Sequence, residues 1–343
     1  MSSEKEQIQY IEKLLASDDY QTIVLQLQNI EHIYQKISKA DQIDSAWYQS
    51  SELTNGIAIS PNDAMRCFQG TSRTAKYLKA IYHQVRLLIK QYPDRSVELV
   101  YAGCGPWGSL ITPLLVLFKP QQLQVTFIDL HSTSLNSLKK IVKYLRCESL
   151  VSSYANMDAT RYQHTKKIDL IVTETLYNGL HSEGIVSIIR HLTRQLSKKG
   201  VIVPKRVVID AYLIDMRAEL ALLNNFDLAL GQVPTKKQLL ENRVFLGGMF
   251  ELSKDALTVI DDRQANEKPS DNLPCKGFCV PHFNYEQHFA ISTRLYLTDV
   301  IVLDEYENGI THPLNMSLSR EYIGKKVSFK YQCVPPVGFI QQE

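Results

Sequence analysis

The stretch Thr173-Glu174-Thr175-Leu176-Tyr177-Asn178-Gly179-Leu180-His181-Ser182-Glu183-Gly184 follows "IDLIV", an apolar run that reads as a buried strand. It sets two glutamates nine residues apart around a Tyr-Asn-Gly turn. Acids so placed are either solvated or hold a cation.

A second set of residues could bind a cofactor. "LVYAGCGPWGSL" places Gly103, Gly105 and Gly108 in a G-x-G-x-x-G pattern between a strand and a helix. Small residues there let the backbone turn sharply and approach a ligand, and the helix start that follows offers unpaired N–H groups. The next strand, "VTFIDLH", ends on Asp129, where an acceptor can take both ribose hydroxyls of a nucleoside. Met157 and Asp158, in "ANMDA" after the third strand, border the same cleft, and the Asp158 carboxylate could accept from an adenine amine. A nucleoside-containing cofactor follows; NAD, FAD and S-adenosylmethionine (SAM) all fit.

The span "IDLIVTETLYNGLHSEGIVSIIRHLTRQLSKKGVIVP" resembles the protein arginine methyltransferases in its strand-end glutamate, hairpin loop, second glutamate, long helix and Gly-x-x-x-Pro strand. Upstream, "CFQGTSRTAKY" resembles that family's helix before the sheet, with Arg73, Thr74 and Tyr77 in step. The resemblance implies a SAM-dependent N-methyltransferase. SAM would be held by Arg73, which matches the arginine that grips its carboxylate, and by Gly103, Cys104, Gly105, Gly108, Asp129, Met157, Asp158 and Glu174. Glu174 and Glu183 would be catalytic. A guanidinium is a poor nucleophile, and two carboxylates can grip it bidentately, drawing its charge aside and leaving one nitrogen with a usable lone pair. "ITHPL" resembles the family's Thr-His-Trp loop, which makes His312 a third catalytic candidate, although Pro313 stands where the family has tryptophan. His181, inside the acidic loop, is a rival proton acceptor.

No docking tract marks a reader of protein tails, so free arginine or a small arginine-derived metabolite is favoured as the acceptor over protein arginine. The same fold could also methylate carbon or oxygen of another small molecule, use NAD as an oxidoreductase, or bind SAM without catalysis. The resemblance further implies a homodimer, with the helical-looking segment 216–245 as a candidate arm.

The 343 residues, 44% hydrophobic, are enough for one large or two ordinary cores. A net charge of +2 with scattered lysine pairs calls for neither nucleic acid nor an anionic membrane. "LITPLLVLF" is far short of the roughly 20 residues that span a bilayer, and "MSSEKEQ" lacks a signal-peptide layout, so a cytoplasmic protein is expected. Cys275 and Cys279 lack the second pair that a zinc site needs, and no metal is expected.

These groups must be positioned by an α/β framework. Apolar periodicity predicts two helices from Glu4 to about Lys39, broken near Asp18 and Asp19. A polar loop, "SSELTNGIAISPND", precedes helices running to Pro93. Alternating strands and helices from about 94 to 205 then predict a parallel, Rossmann-like sheet. "GSLITPLLVLFKP" and "GIVSIIRHLTRQLSK" read as two of its helices, and β-like runs fill the remainder around one helix, "KKQLLENR". The expected domains are an N-terminal helical extension (1–55), a SAM-binding domain with preceding helices (56–205) and a β-barrel-like substrate and dimerisation domain (206–343).

Overall fold

The computed structural model describes residues 2–38, 44–263, 271–284 and 286–342. By contact the chain divides into two compact units. One comprises Met1–Leu53, Ile57–Thr175 and Ser187–Pro204; the other comprises Thr54–Gly56, Leu176–Val186 and Lys205–Glu343.

The chain opens on α1 (Ser2–Ala16) and α2 (Tyr20–Ser38), broken at the predicted place, while Lys39 lies outside the described residues. Asp19 makes the break, because its carboxylate accepts from Thr22 N at 2.7 Å and satisfies an otherwise orphaned first-turn amide of α2. The expected polar loop contains a hairpin, β1 (Ser51–Leu53) and β2 (Gly56–Ala58). The strands are joined by the two-residue turn Thr54-Asn55, and Gly56, with φ of 129°, opens β2. Helix α3 (Pro61–Arg66) starts where Ser60 caps the Asp63 amide, and α4 (Thr71–Gln91) follows. The buried face of α4 carries Ala75, Leu78, Ile81, Val85 and Leu88 at helical spacing, together with Arg73.

The first unit's sheet contains β3 (Val97–Ala102), β4 (Leu123–Asp129), β5 (Val151–Asn156), β6 (Ile168–Thr173) and β7 (Leu196–Val203). Its order is β5-β4-β3-β6-β7 and every pairing is parallel. Strands β3 and β6 are buried at every position, as central parallel strands must be. The connecting helices are α5 (Thr112–Leu115), α6 (Ser132–Tyr144) and α7 (Ile185–Thr193). Two are shorter than their patterns predict. The segment around α5 has a single four-residue turn, and α7 ends before Leu196, which pairs with Ile168 and so enters the sheet.

One buried carboxylate ties this sheet together. Asp169 accepts from both terminal nitrogens of Arg95 (2.5 and 2.8 Å), from Glu98 N (3.0 Å) and from Ser197 Oγ (2.7 Å). Although burial opposes its charge, Arg95 and these donors hold its carboxyl below the ordinary value of 3.8. Its stabilisation is therefore present above the unfolded-chain value and lost as pH falls below it. Asp169→Asn is expected to cost about 2–3 kcal/mol at pH 7, a charge-assisted bond leaving buried partners unpaired, and less at pH 3. Denaturant melts of both proteins at both pH values check it; an equal deficit at the two would refute it.

The second unit contains β8 (Arg206–Asp215), α8 (Met216–Leu223), α9 (Lys236–Leu240), β9 (Arg243–Ser253), α10 (Lys254–Arg263), β10 (Asn272–Pro274) and β11 (Phe278–Cys279). Strands β12 (Gln287–Tyr296), β13 (Val302–Leu303), β14 (Leu314–Asn315), β15 (Lys326–Gln332) and β16 (Gly338–Gln342) complete it. They form two antiparallel sheets, ordered β13-β12-β8-β9 with β14 on β12, and β10-β15-β11 with β16 on β15. The C-terminal third is β-rich as its pattern predicts, with α9 on "KKQLL" and an additional helix, α10. Segment 216–245 is held at its root by charge: Arg243, on β9, pairs with Glu219 of α8 and, at 2.6 Å, with Glu305. Among the described residues no helix is long and apolar enough to cross a membrane.

Candidate active site

The sheet order reverses at β3, since the chain runs outward through β4 and β5 and returns to the other side at β6. In open parallel sheets ligands bind beyond the carboxyl ends of the strands at such a switch point. Here those ends carry Gly103 after β3, Asp129 on β4, Met157 and Asp158 after β5, and Glu174 after β6.

The glycine turn has the conformation its composition predicts, with φ of 69° at Gly103, 64° at Gly105 and 56° at Gly108. Gly103 is required twice over, because a Cβ there would also lie 2.2 Å from Thr175 Cγ2, beside Glu174. Asp129 braces the turn: its carboxylate accepts from Gly105 N at 2.8 Å and His131 N at 2.9 Å, while burial pushes its carboxyl up against those bonds. Cys104 is buried, which raises its thiol well above the ordinary value, so its side chain is packing; its amide donates to Ile128 O at 3.1 Å. Met157 donates from its amide to Asp129 O at 3.1 Å. Asp158 caps the turn behind it, one oxygen accepting from both the amide and the hydroxyl of Thr160 at 2.8 Å.

Arg73 lies in the first turn of α4, where the helix dipole disfavours a cation. Its partner explains the position. Nη1 donates to Glu174 Oε1 at 2.9 Å and Nη2 to the Cys67 carbonyl, and both charged side chains are largely buried, 7% and 11% exposed. Burial pushes the Glu174 carboxyl up against the pull of Arg73; burial also opposes the Arg73 charge, but Glu174 raises that guanidinium above its ordinary value. Arg73 Nε and the Tyr77 hydroxyl are buried without a hydrogen-bond partner, and both charges act on Tyr77. Unpaired donors in a buried polar cluster are the places a ligand oxygen satisfies.

The second unit holds the rest of the acidic loop. Glu183 is buried, and its amide donates to His181 O at 2.8 Å. The loop is clamped by Gly179 N on Thr293 Oγ1 (2.8 Å), Tyr331 Oη on Leu180 O (2.7 Å) and Ser182 N on Val337 O (3.2 Å). Leu180 and Ser182 have φ of 55° and 69°, strained values that these clamps must hold. His181 lies 2.6 Å by Nδ1 from Asn178 O, a carbonyl that can only accept, so Nδ1 is the donor in this contact. His312 is exposed; its backbone carbonyl accepts from Asn178 Nδ2 of the loop at 3.3 Å, and its ring lies 5.2 Å from that of Tyr306. Partial desolvation holds the His312 imidazole below its ordinary value.

No family model and no curated protein sequence matches the chain. Among solved structures it is similar to a chain of the Trypanosoma brucei PRMT1 enzyme-prozyme heterotetrameric complex with AdoHcy. The identity is 13% and the TM-score 0.48, covering 78% of this chain and 86% of that one.

Two residues at these sites escaped the reading of the sequence. Trp107, in "GPWG", is fully buried with its ring edge-on to Tyr34 of α2 and to Phe68, and its Nε1 donates to Ser38 Oγ at 3.2 Å. It fastens α2 to the glycine turn, and its signal was the one large aromatic among small turn residues. The other is Asn55, buried against Gly184 in the second unit.

Proposed function

We propose that this protein is a SAM-dependent N-methyltransferase acting on a guanidino nitrogen, of free arginine or a small arginine-derived metabolite before protein arginine. One observation carries the proposal: the largely buried Glu174 carboxylate, at the carboxyl edge of a parallel sheet, already holds a guanidinium, that of Arg73, at 2.9 Å. A desolvated carboxylate suited to one guanidinium suits another.

The orphaned Arg73 Nε and Tyr77 hydroxyl fit the carboxylate of SAM, and the positive-φ turn and Asp129 fit a nucleoside. Arg73, Gly103, Cys104, Gly105, Gly108, Asp129, Met157, Asp158 and Glu174 would hold the cofactor, which when bound supplies an activated methyl group and its thioether leaving group. Glu174 and Glu183, at the two ends of one loop, would grip the guanidinium and orient the free nitrogen, a positioning task that needs no protein nucleophile. His181, which lies inside the loop with Nδ1 engaged on Asn178 O, is the better candidate to receive the departing proton; His312, with its ring turned to Tyr306, is the lesser one.

Release of S-adenosylhomocysteine from SAM is measured with free arginine, an arginine-rich peptide and no acceptor, with mass spectrometry of products. Turnover with free arginine is expected. Turnover with the peptide alone would move the acceptor to protein, and silence with both alongside tight SAM binding would discard the guanidino acceptor. A homodimer in the cytoplasm belongs to the same proposal. Leu220, Leu230, Leu240, Val244 and Phe245 are exposed apolar side chains within segment 216–245, which suits a dimer arm, and sedimentation equilibrium showing only monomer would remove it.

A further inference from the structure

Asn55 stands at the tip of the β1–β2 hairpin, and the tip, Thr54–Gly56, groups by contact with the acidic loop in the second unit. Two glycines permit that approach. A Cβ on Gly56 would lie 2.5 Å from the Ser182 carbonyl oxygen, and one on Gly184 would lie 3.0 Å from Asn55 Nδ2 and 3.1 Å from Asn55 O. The carboxamide therefore rests on the backbone of the residue that follows Glu183. It is 8% exposed, and neither Oδ1 nor Nδ2 has a hydrogen-bond partner. In the same loop Asn178 Oδ1 is also buried and unpartnered. Unpaired polar groups of this kind destabilise a fold, and the one resting against the residue after a candidate binding acid points to a ligand rich in N–H donors.

We infer that Asn55 is an acceptor-binding residue. Its Oδ1 accepts an N–H of the acceptor's guanidinium, and Nδ2 is satisfied by a water carried in with it. A guanidinium keeps three N–H groups when one terminal nitrogen stays free, and a neutral oxygen beside Glu183 holds one of them without adding a further negative charge. This inference rests on the guanidino methyltransferase reading above.

The test is Asn55→Leu, close in size and without polar atoms, with Asn55→Ala as a second variant should the first misfold. Acceptor kcat/KM is expected to fall about 10- to 100-fold, mostly in KM, with SAM affinity unchanged and the melting temperature equal to or above wild type. Calorimetry of arginine binding to the S-adenosylhomocysteine-saturated proteins gives a readout without turnover. Wild-type turnover with unaltered variants overturns the role of Asn55 alone, and so does an equal loss of SAM affinity, which marks a structural role. A wild type that neither methylates nor binds any guanidino compound overturns the underlying reading, and this one with it.

Discussion

Glu183→Gln is expected to lower kcat by about a thousandfold while SAM affinity changes by less than about threefold. Glutamine keeps the shape and removes the charge, so what is lost is the electrostatic grip on the guanidinium, and one preorganised group of this kind is worth about 10²–10³ in rate. Glu174→Gln is expected to lose as much turnover and, unlike Glu183→Gln, to alter cofactor affinity as well. The difference follows from Arg73, which has Glu174 as its charged partner at 2.9 Å. Single-turnover rates paired with SAM titrations separate the two effects. Near wild-type turnover in either variant would mean that the two acids do not act together on a cationic acceptor.

The second large effect is expected at Arg73. Arg73→Met leaves Glu174 buried without its counter-charge, which costs about 3–5 kcal/mol of stability at neutral pH, and removes the donors that suit the SAM carboxylate. Burial already pushes the Glu174 carboxyl up, and without Arg73 nothing opposes that push. The variant's folded-state value lies further above the unfolded one, so its deficit grows as pH rises through that window and shrinks as Glu174 is protonated in acid. Denaturant melts of both proteins between pH 5 and 8, with SAM binding by calorimetry, test both parts. A pH-independent deficit would show that the loss is packing rather than charge. Arg73→Lys is expected to recover part of the stability, because an ammonium restores the charge without the planar fork.

What the sequence by itself determined about this protein is local and periodic. Alternating β-rich and amphipathic runs specified a parallel sheet followed by a β-rich region, since burial on one or both faces imposes those periods on the residues. The glycine spacing specified a turn of positive φ, and the ends of β4 and β6 placed Asp129 and Glu174 at one edge of the sheet. Local signals misled where pairing overrode them: Leu196 reads as helix yet pairs with Ile168, and the loop around Asn55 closes into a hairpin. Only the tertiary structure decided the partners. Arg73 meets Glu174 across 101 residues, Trp107 reaches Ser38 across 69, and Asn55 comes to rest against Gly184. No propensity encodes such pairings, because they arise when separate elements dock and each buried charge or polar group takes the partner that packing brings within reach.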